Sequence, residues 1–214
     1  MSEQNTTIRL DNNERTERDS DIGINITWNS TIEILLSNWC DQAKCFVWMN
    51  SEAYSRYAFK SKVFLVLIIV LSMFNGLANV IVGNNINISW LFGSFSIIIS
   101  MVTMLQEKLA YASLSNEHQS YYVQWNIIVR KIQEELCIPR ESRKDCQTFL
   151  KVIRQDINQV SINNIKIPYN IKRECYEKFK DEPDFDIPDI CGQIEHTIIY
   201  TSPSHNHNND TSYS

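Results

Sequence analysis

The chain has 214 residues, with 25 acidic against 20 basic side chains and a formal net charge of -5. That length makes one domain, or one domain with tails, and an acidic balance without any Lys/Arg cluster excludes an electrostatic footprint for nucleic acid. Averages mislead beyond this: mean hydropathy is -0.26, yet no Asp, Glu, Lys or Arg occurs between Lys62 and Glu107.

Residues 1–28 are polar and aperiodic, and are expected to form a disordered lead-in. Their opening, "MSEQNTTIRLDNNERTERDSD", has no apolar core of a signal peptide, so any membrane insertion must be driven by internal segments. A two-transmembrane domain is expected over 29–180. Ser30 with Glu33 three residues on resembles a capping box. From there Ile32, Leu36, Trp39, Ala43, Phe46, Ala53 and Tyr57 step by threes and fours, the spacing of one helix face, interrupted at Asn50.

Two apolar runs follow. Val63–Val82 is about 20 residues, which at ~1.5 Å rise spans the ~30 Å of a bilayer's hydrocarbon. Ile88–Leu105 is just long enough to do the same, and Gly83–Asn87 is a tight polar link that makes the two helices antiparallel. Beyond Leu105, Tyr111, Leu114, His118, Tyr121, Trp125, Ile128, Ile132 and Leu136 resume helical spacing, so one helix is expected to run from the membrane into water until Pro139 stops it. A helix over about Ser142–Ser161 has Cys146, Phe149, Leu150, Ile153, Ile157 and Val160 inward, and a short one covers Tyr169–Lys180 after Pro168. Residues 181–214 read as loop and disordered tail, with a short strand conceivable at His196–Tyr200.

The fold class predicted is therefore an all-α membrane protein: a two-transmembrane helical hairpin with long amphipathic cytoplasmic helices. A core helix of a soluble domain keeps a solvated edge, whereas each charge at a bilayer centre costs about 2.5 to 3.5 kcal/mol on insertion scales, which accounts for the charge-free interval. Arg56, Lys60 and Lys62 precede the first span and Lys108 follows the second, while the link is uncharged, so the positive-inside rule places both termini in the cytoplasm. Trp90, Tyr57, Phe59 and Tyr111 fall at the boundaries.

The candidate site is a stripe on the second span, Ser89, Gly93, Ser96, Ser100 and Thr103, spaced by fours and threes. Ser72 and Gly76 form a matching small pair on the first span, and Asn75 and Asn79, one turn apart, can bond across to the partner helix. The stripe is either a close-packing surface or the wall of a water-filled path, which a lone hairpin cannot enclose and which therefore requires a homo-oligomer. Other candidates carry less. His205 and His207 are too few to make a designed metal site; His118 reads as a satisfied interface residue; Glu134 and Glu135 look like a solvated face. Cys40 and Cys45 do not face each other on a helix, and the six cysteines, with no C-x-x-C pair, are expected as free thiols. No catalytic or nucleotide-binding motif is found, so neither enzyme activity nor a cofactor is expected.

The layout resembles a known family. An aromatic amphipathic helix, "LSNWCDQAKCFVWMNSEAYSRYAFKSK", precedes the spans; "LQEKLAYASLSNEHQSYYVQWNIIVRKIQEEL", "FLKVIRQDINQV" and "IPYNI" follow. Over roughly Leu36–Lys180 this is similar to the SLATT domains, two-transmembrane proteins proposed as effectors in nucleotide-signalling conflict systems and found also as stand-alone versions. The closest local features are Ala53-x-x-x-Tyr57, "NEHQSYY" and the Pro168 segment. The resemblance implies an oligomeric membrane pore or channel-like effector. This sequence departs from it in lacking a fused sensor domain, which leaves the trigger open. The alternative expectation is a non-conducting membrane anchor or scaffold whose cytoplasmic helices recruit a protein partner.

Overall fold

A computed structural model describes residues 26–82, 86–163 and 165–192; the side chains of 78–82, 86–89 and 91–92 lie outside the description. Every regular element among the described residues is helical. Helix α1 (Ser30–Val82) is a single rod of 53 residues, about 80 Å at 1.5 Å per residue. It stays unbroken because no proline occurs in it and its one glycine is Gly76. Both the amphipathic arm and the first apolar run belong to it.

The start of α1 differs from the capping box expected at Ser30. Asn29 is the cap, its Oδ1 accepting the Ile32 amide at 2.9 Å. Glu33 turns its carboxylate away to Arg140, whose Nε donates at 2.7 Å, and to Arg143, whose NH1 donates at 2.6 Å. A two-cation clamp outcompetes a single backbone amide.

Helices α2 (Ile86–Leu109) and α3 (Tyr111–Leu136) return along α1. Of the expected link, 83–85 lies outside the described residues, and α2 begins at Ile86, inside it. The pairing is antiparallel: partner numbers fall as α1 rises, from Cys40 against Val129, through Phe46 on Trp125, Asn50 on His118 and Tyr57 on Tyr111, to Asn75 on Ser96. The helix expected to continue unbroken past Leu105 is instead interrupted at Ala110, whose φ of 45° and ψ of 34° are left-handed. Hydrogen bonds from Ala110 N to Gln106 O (3.1 Å) and from Leu114 N to Ala110 O (3.0 Å) survive on either side, so the path bends without losing its course along α1.

After Pro139 and a 3-10 turn at Arg140–Ser142 comes α4 (Cys146–Ile162), capped by Asp145, which accepts the Thr148 amide at 2.9 Å. Helix α5 (Tyr169–Phe179) follows Pro168, and a second 3-10 turn spans Asp189–Cys191. The inward residues expected of α3 and α4 are buried or half-buried, Ile132 and Ile153 completely.

The arm of α1 is the axis of two cores. One face packs Leu36, Cys40 and Ala43 against Trp125, Ile128 and Ile132 of α3 and Phe149 and Ile153 of α4. The other packs Cys45, Met49 and Ala53 against Ile167, Ile171 and Cys175 near and in α5 and Cys191 beyond it, with Phe185 and Ile187 alongside. Cys40 and Cys45 thus lie in different cores. Trp28, ahead of α1, packs on Phe149 at 5.9 Å and donates from Nε1 to Lys144 O at 2.8 Å. Glu135 departs from the solvated face expected of it: it is buried and accepts the Lys144 amide at 2.6 Å, fastening the α3–α4 connection, while Glu134 is exposed.

Candidate functional site

The two-helix hairpin beyond the arms has an inner seam and an outer girdle. Ser61, Phe64, Ile68, Leu71 and Asn75 of α1 are half-buried, spaced three and four apart; Phe95, Ile99, Val102, Gln106 and Leu109 repeat that spacing on α2. This is the seam of a paired coil. Ser94, Ser96 and Thr103 flank that seam half-buried, and large apolar side chains among the described residues face outward: Val66 is 58% exposed, Phe74 65%, Trp90 80% and Met101 68%. The described parts of these helices hold 18-residue windows of mean hydropathy 1.9 and 1.2, with no residue of either window buried. Two helices are therefore long and apolar enough to cross a membrane. So continuous an apolar exterior exceeds what soluble monomers leave to water.

The expected polar stripe divides between these surfaces. Asn75 Nδ2 donates to Ser96 Oγ at 2.9 Å, the cross-hairpin bond anticipated for that asparagine. Thr103 lies beside the seam and gives its proton to Ile99 O at 3.0 Å, and Ser100, exposed, gives its proton to Ser96 O at 3.0 Å. Such bonds from a hydroxyl to the carbonyl four residues back leave the oxygen lone pairs outward. Ser72, Gly76 and Gly93 are exposed, and a Cβ placed on either glycine meets nothing within 4 Å. The glycines therefore do not bring the two spans of one chain together. The side chains of Asn79 and Ser89 lie outside the described residues.

Where hairpin meets arms, a polar and aromatic layer crosses the bundle. His118 is fully buried, its Nδ1 2.9 Å from Asn50 Oδ1 and its ring stacked on Tyr57 at 5.5 Å. Asn50 Nδ2 donates to Phe46 O at 2.9 Å. Burial lowers the His118 pKa, and the nearby Glu117 charge opposes this more weakly. Ser115 Oγ donates to Tyr54 O at 3.3 Å, and Tyr57 stacks on Tyr111 at 5.9 Å. Lys60 Nζ lies 5.7 Å and 5.5 Å from the two tyrosine ring centres. Asn50, an interruption in the sequence pattern, is the partner of His118 Nδ1.

Elsewhere in the arms the chemistry is quiet. All six cysteines are free, and only Cys137 is exposed. Cys191 Sγ lies 3.7 Å from Met49 Sδ. The hydrogen bond with Cys191 draws the Cys175 thiol down, but that with Cys45 and burial prevail and carry it up to about 12; hydrogen bonding with Cys175 and burial also push Cys191 up. Thiols so held stay protonated and unreactive. Among the described residues no group of three or more His, Cys, Asp or Glu is placed to hold a metal ion. An open groove of about 290 Å³ lies between α1, α3 and α4, lined by Trp39, Gln42, Phe46, Trp125, Arg154 and Asn158 among others.

Comparison with protein-family models, with curated proteins and with solved structures brings no match.

Proposed function

We propose that the chain is a double-pass integral membrane protein with both termini cytoplasmic, and that several copies assemble into a pore-forming or ion-conducting effector of the SLATT type. The observation that carries this reading is the hairpin's predominantly apolar exterior, with Asn75, Ser96 and Thr103 at or beside its seam and Ser100 exposed. Large apolar side chains facing outward along the described parts of the hairpin need hydrocarbon as their surroundings. The open ground at Ser72, Gly76 and Gly93 is what a neighbouring copy can approach. Hydroxyl oxygens that have given their protons to their own helix keep acceptor capacity for a hydrated cation.

A second reading, a non-conducting anchor or scaffold, draws on a different observation. The arms form two separate cores and an open groove, more surface than a mere support for two spans requires. Protein reconstituted into liposomes decides between them. A pore releases trapped ions or a small dye and loses that activity in the Ser96→Leu, Ser100→Leu double variant. No release from wild-type protein, with oligomers demonstrably present, sinks the pore reading and leaves the anchor.

A further inference from the structure

We propose that the foot of the hairpin is a docking surface for anionic phospholipid headgroups of the leaflet facing the arms, engaged by Lys60, Lys62 and Lys108; the inference rests on the membrane reading above. The three lysines gather at one level, since Lys60 lies over Tyr57 and Tyr111, Tyr111 touches Phe64 at 5.9 Å, and Lys108 is one turn before Tyr111. That level is where the arm bundle ends and the exposed apolar girdle begins at Val63.

Arg56, one turn before Lys60 on α1, is held by Glu52 and Glu174. Lys60, Lys62 and Lys108 are exposed and have no ion pair among the described residues. One carboxylate, Glu107, shares their level, leaving a local excess of cation. Lys60 is already positioned by two aromatic faces, which reduces the rotamer freedom lost on meeting a phosphate. The remainder of the hairpin carries no charge, so the preference belongs to one leaflet alone. Charge, depth and the aromatic belt together fit a phosphate diester held at the hydrocarbon boundary.

Each lysine near an anionic surface contributes about a fivefold preference. Full-length protein is reconstituted into vesicles of phosphatidylcholine with a minority of phosphatidylglycerol, floated, extracted gently, and its co-purifying lipid quantified by mass spectrometry. The expected result is phosphatidylglycerol enriched several-fold over the bulk mixture, with the lipid composition returning to bulk in K60Q/K62Q/K108Q and at high salt. K62Q/K108Q, which leaves the tyrosine contacts of Lys60 untouched, should show an intermediate loss and guards against a folding defect. Bulk composition in the wild-type sample, or equal enrichment in wild type and triple variant, overturns this inference while flotation upholds the membrane reading. Failure of wild-type protein to float with vesicles overturns both.

Discussion

Acidification tests the His118 layer, because hydrogen-bond logic fixes the sign of its effect. Asn50 spends its amide protons on Phe46 O, so the oxygen it shows to His118, 2.9 Å away, is an acceptor and Nδ1 must carry the proton. Nε2 then holds the lone pair in a buried position without a hydrogen-bond partner among the described residues. A second proton would create a buried cation with an unsatisfied donor, and burial accordingly sets the folded pKa below the ordinary value of 6.5. With the folded value lower, the unfolded chain binds more protons below that pH. Stability present above about pH 6.5 therefore declines as pH falls toward the folded pKa, by at most about 1.4 kcal/mol per pH unit for one proton. Chemical denaturation of the full chain in micelles, followed from about pH 7.5 to about pH 5.5, should show wild type losing up to that much more than His118→Gln, which can still donate to Asn50 but does not titrate. Parallel pH curves for the two proteins, or a wild type that gains on the variant in acid, would refute the argument.

Three further outcomes can be read with the same denaturation assay. Ala110→Gly should stabilise the chain by up to about 1 kcal/mol, since a left-handed alanine costs about 1 to 2 kcal/mol and glycine returns part of that as unfolded-state freedom. Ile132→Ala, at a fully buried position of the first core, should cost about 2 to 5 kcal/mol, whereas Val123→Ala on the outer face of α3, 47% exposed, should stay within about 0.5 kcal/mol. Glu33 is held at a pKa of about 2, first by its hydrogen bonds to Arg140 and Arg143; its contribution is present above about pH 4.5 and fades as pH drops toward 2, so the destabilisation in Glu33→Gln should shrink over that interval.

Periodicity made much of this architecture readable in advance. Helical spacing located the end of α3, and α4 and α5, to within a few residues, because each buries one apolar face and Pro139, Asp145 and Pro168 mark boundaries, whereas the start of α3 at Ala110 carries neither proline nor side-chain cap. It saw one face of α1 and missed the other. Cys45 and Met49 are small or flexible and read as background until α5 and the 185–191 stretch are folded onto them, while Ala53, expected on the first face, belongs to this second core. The cap at Asn29 and the burial of Glu135 depend on residues about 100 and 9 positions away, Arg140 with Arg143 and Lys144, which no local pattern supplies. At the site, a stripe chosen by side-chain size alone ran along a straight helix, while the real division is set by where α1 lies. Ser96 and Thr103 border that contact and Gly93 and Ser100 miss it.

One continuous helix carries both an arm and a span, and this has a mechanical consequence. Between Asn50 and Asn75 there is no glycine, proline or helical break, so the arm's packing against α3 fixes the rotation of the span. A single alanine inserted after Phe59 would turn the remainder of α1 by about 100° and advance it by about 1.5 Å, removing Asn75 from Ser96 while leaving Asn50 on His118. The returning path is different, because the left-handed Ala110 separates α2 from α3 and can take up an extra residue as a looser turn. Oxidative cross-linking of Asn75→Cys to Ser96→Cys should therefore succeed in the parent chain, fail after insertion at Phe59, and largely survive insertion beside Ala110. If both insertions abolish the cross-link, Ala110 transmits rotation as a rigid helix does; if neither does, the span turns independently of the arm and the two parts of α1 are not mechanically one.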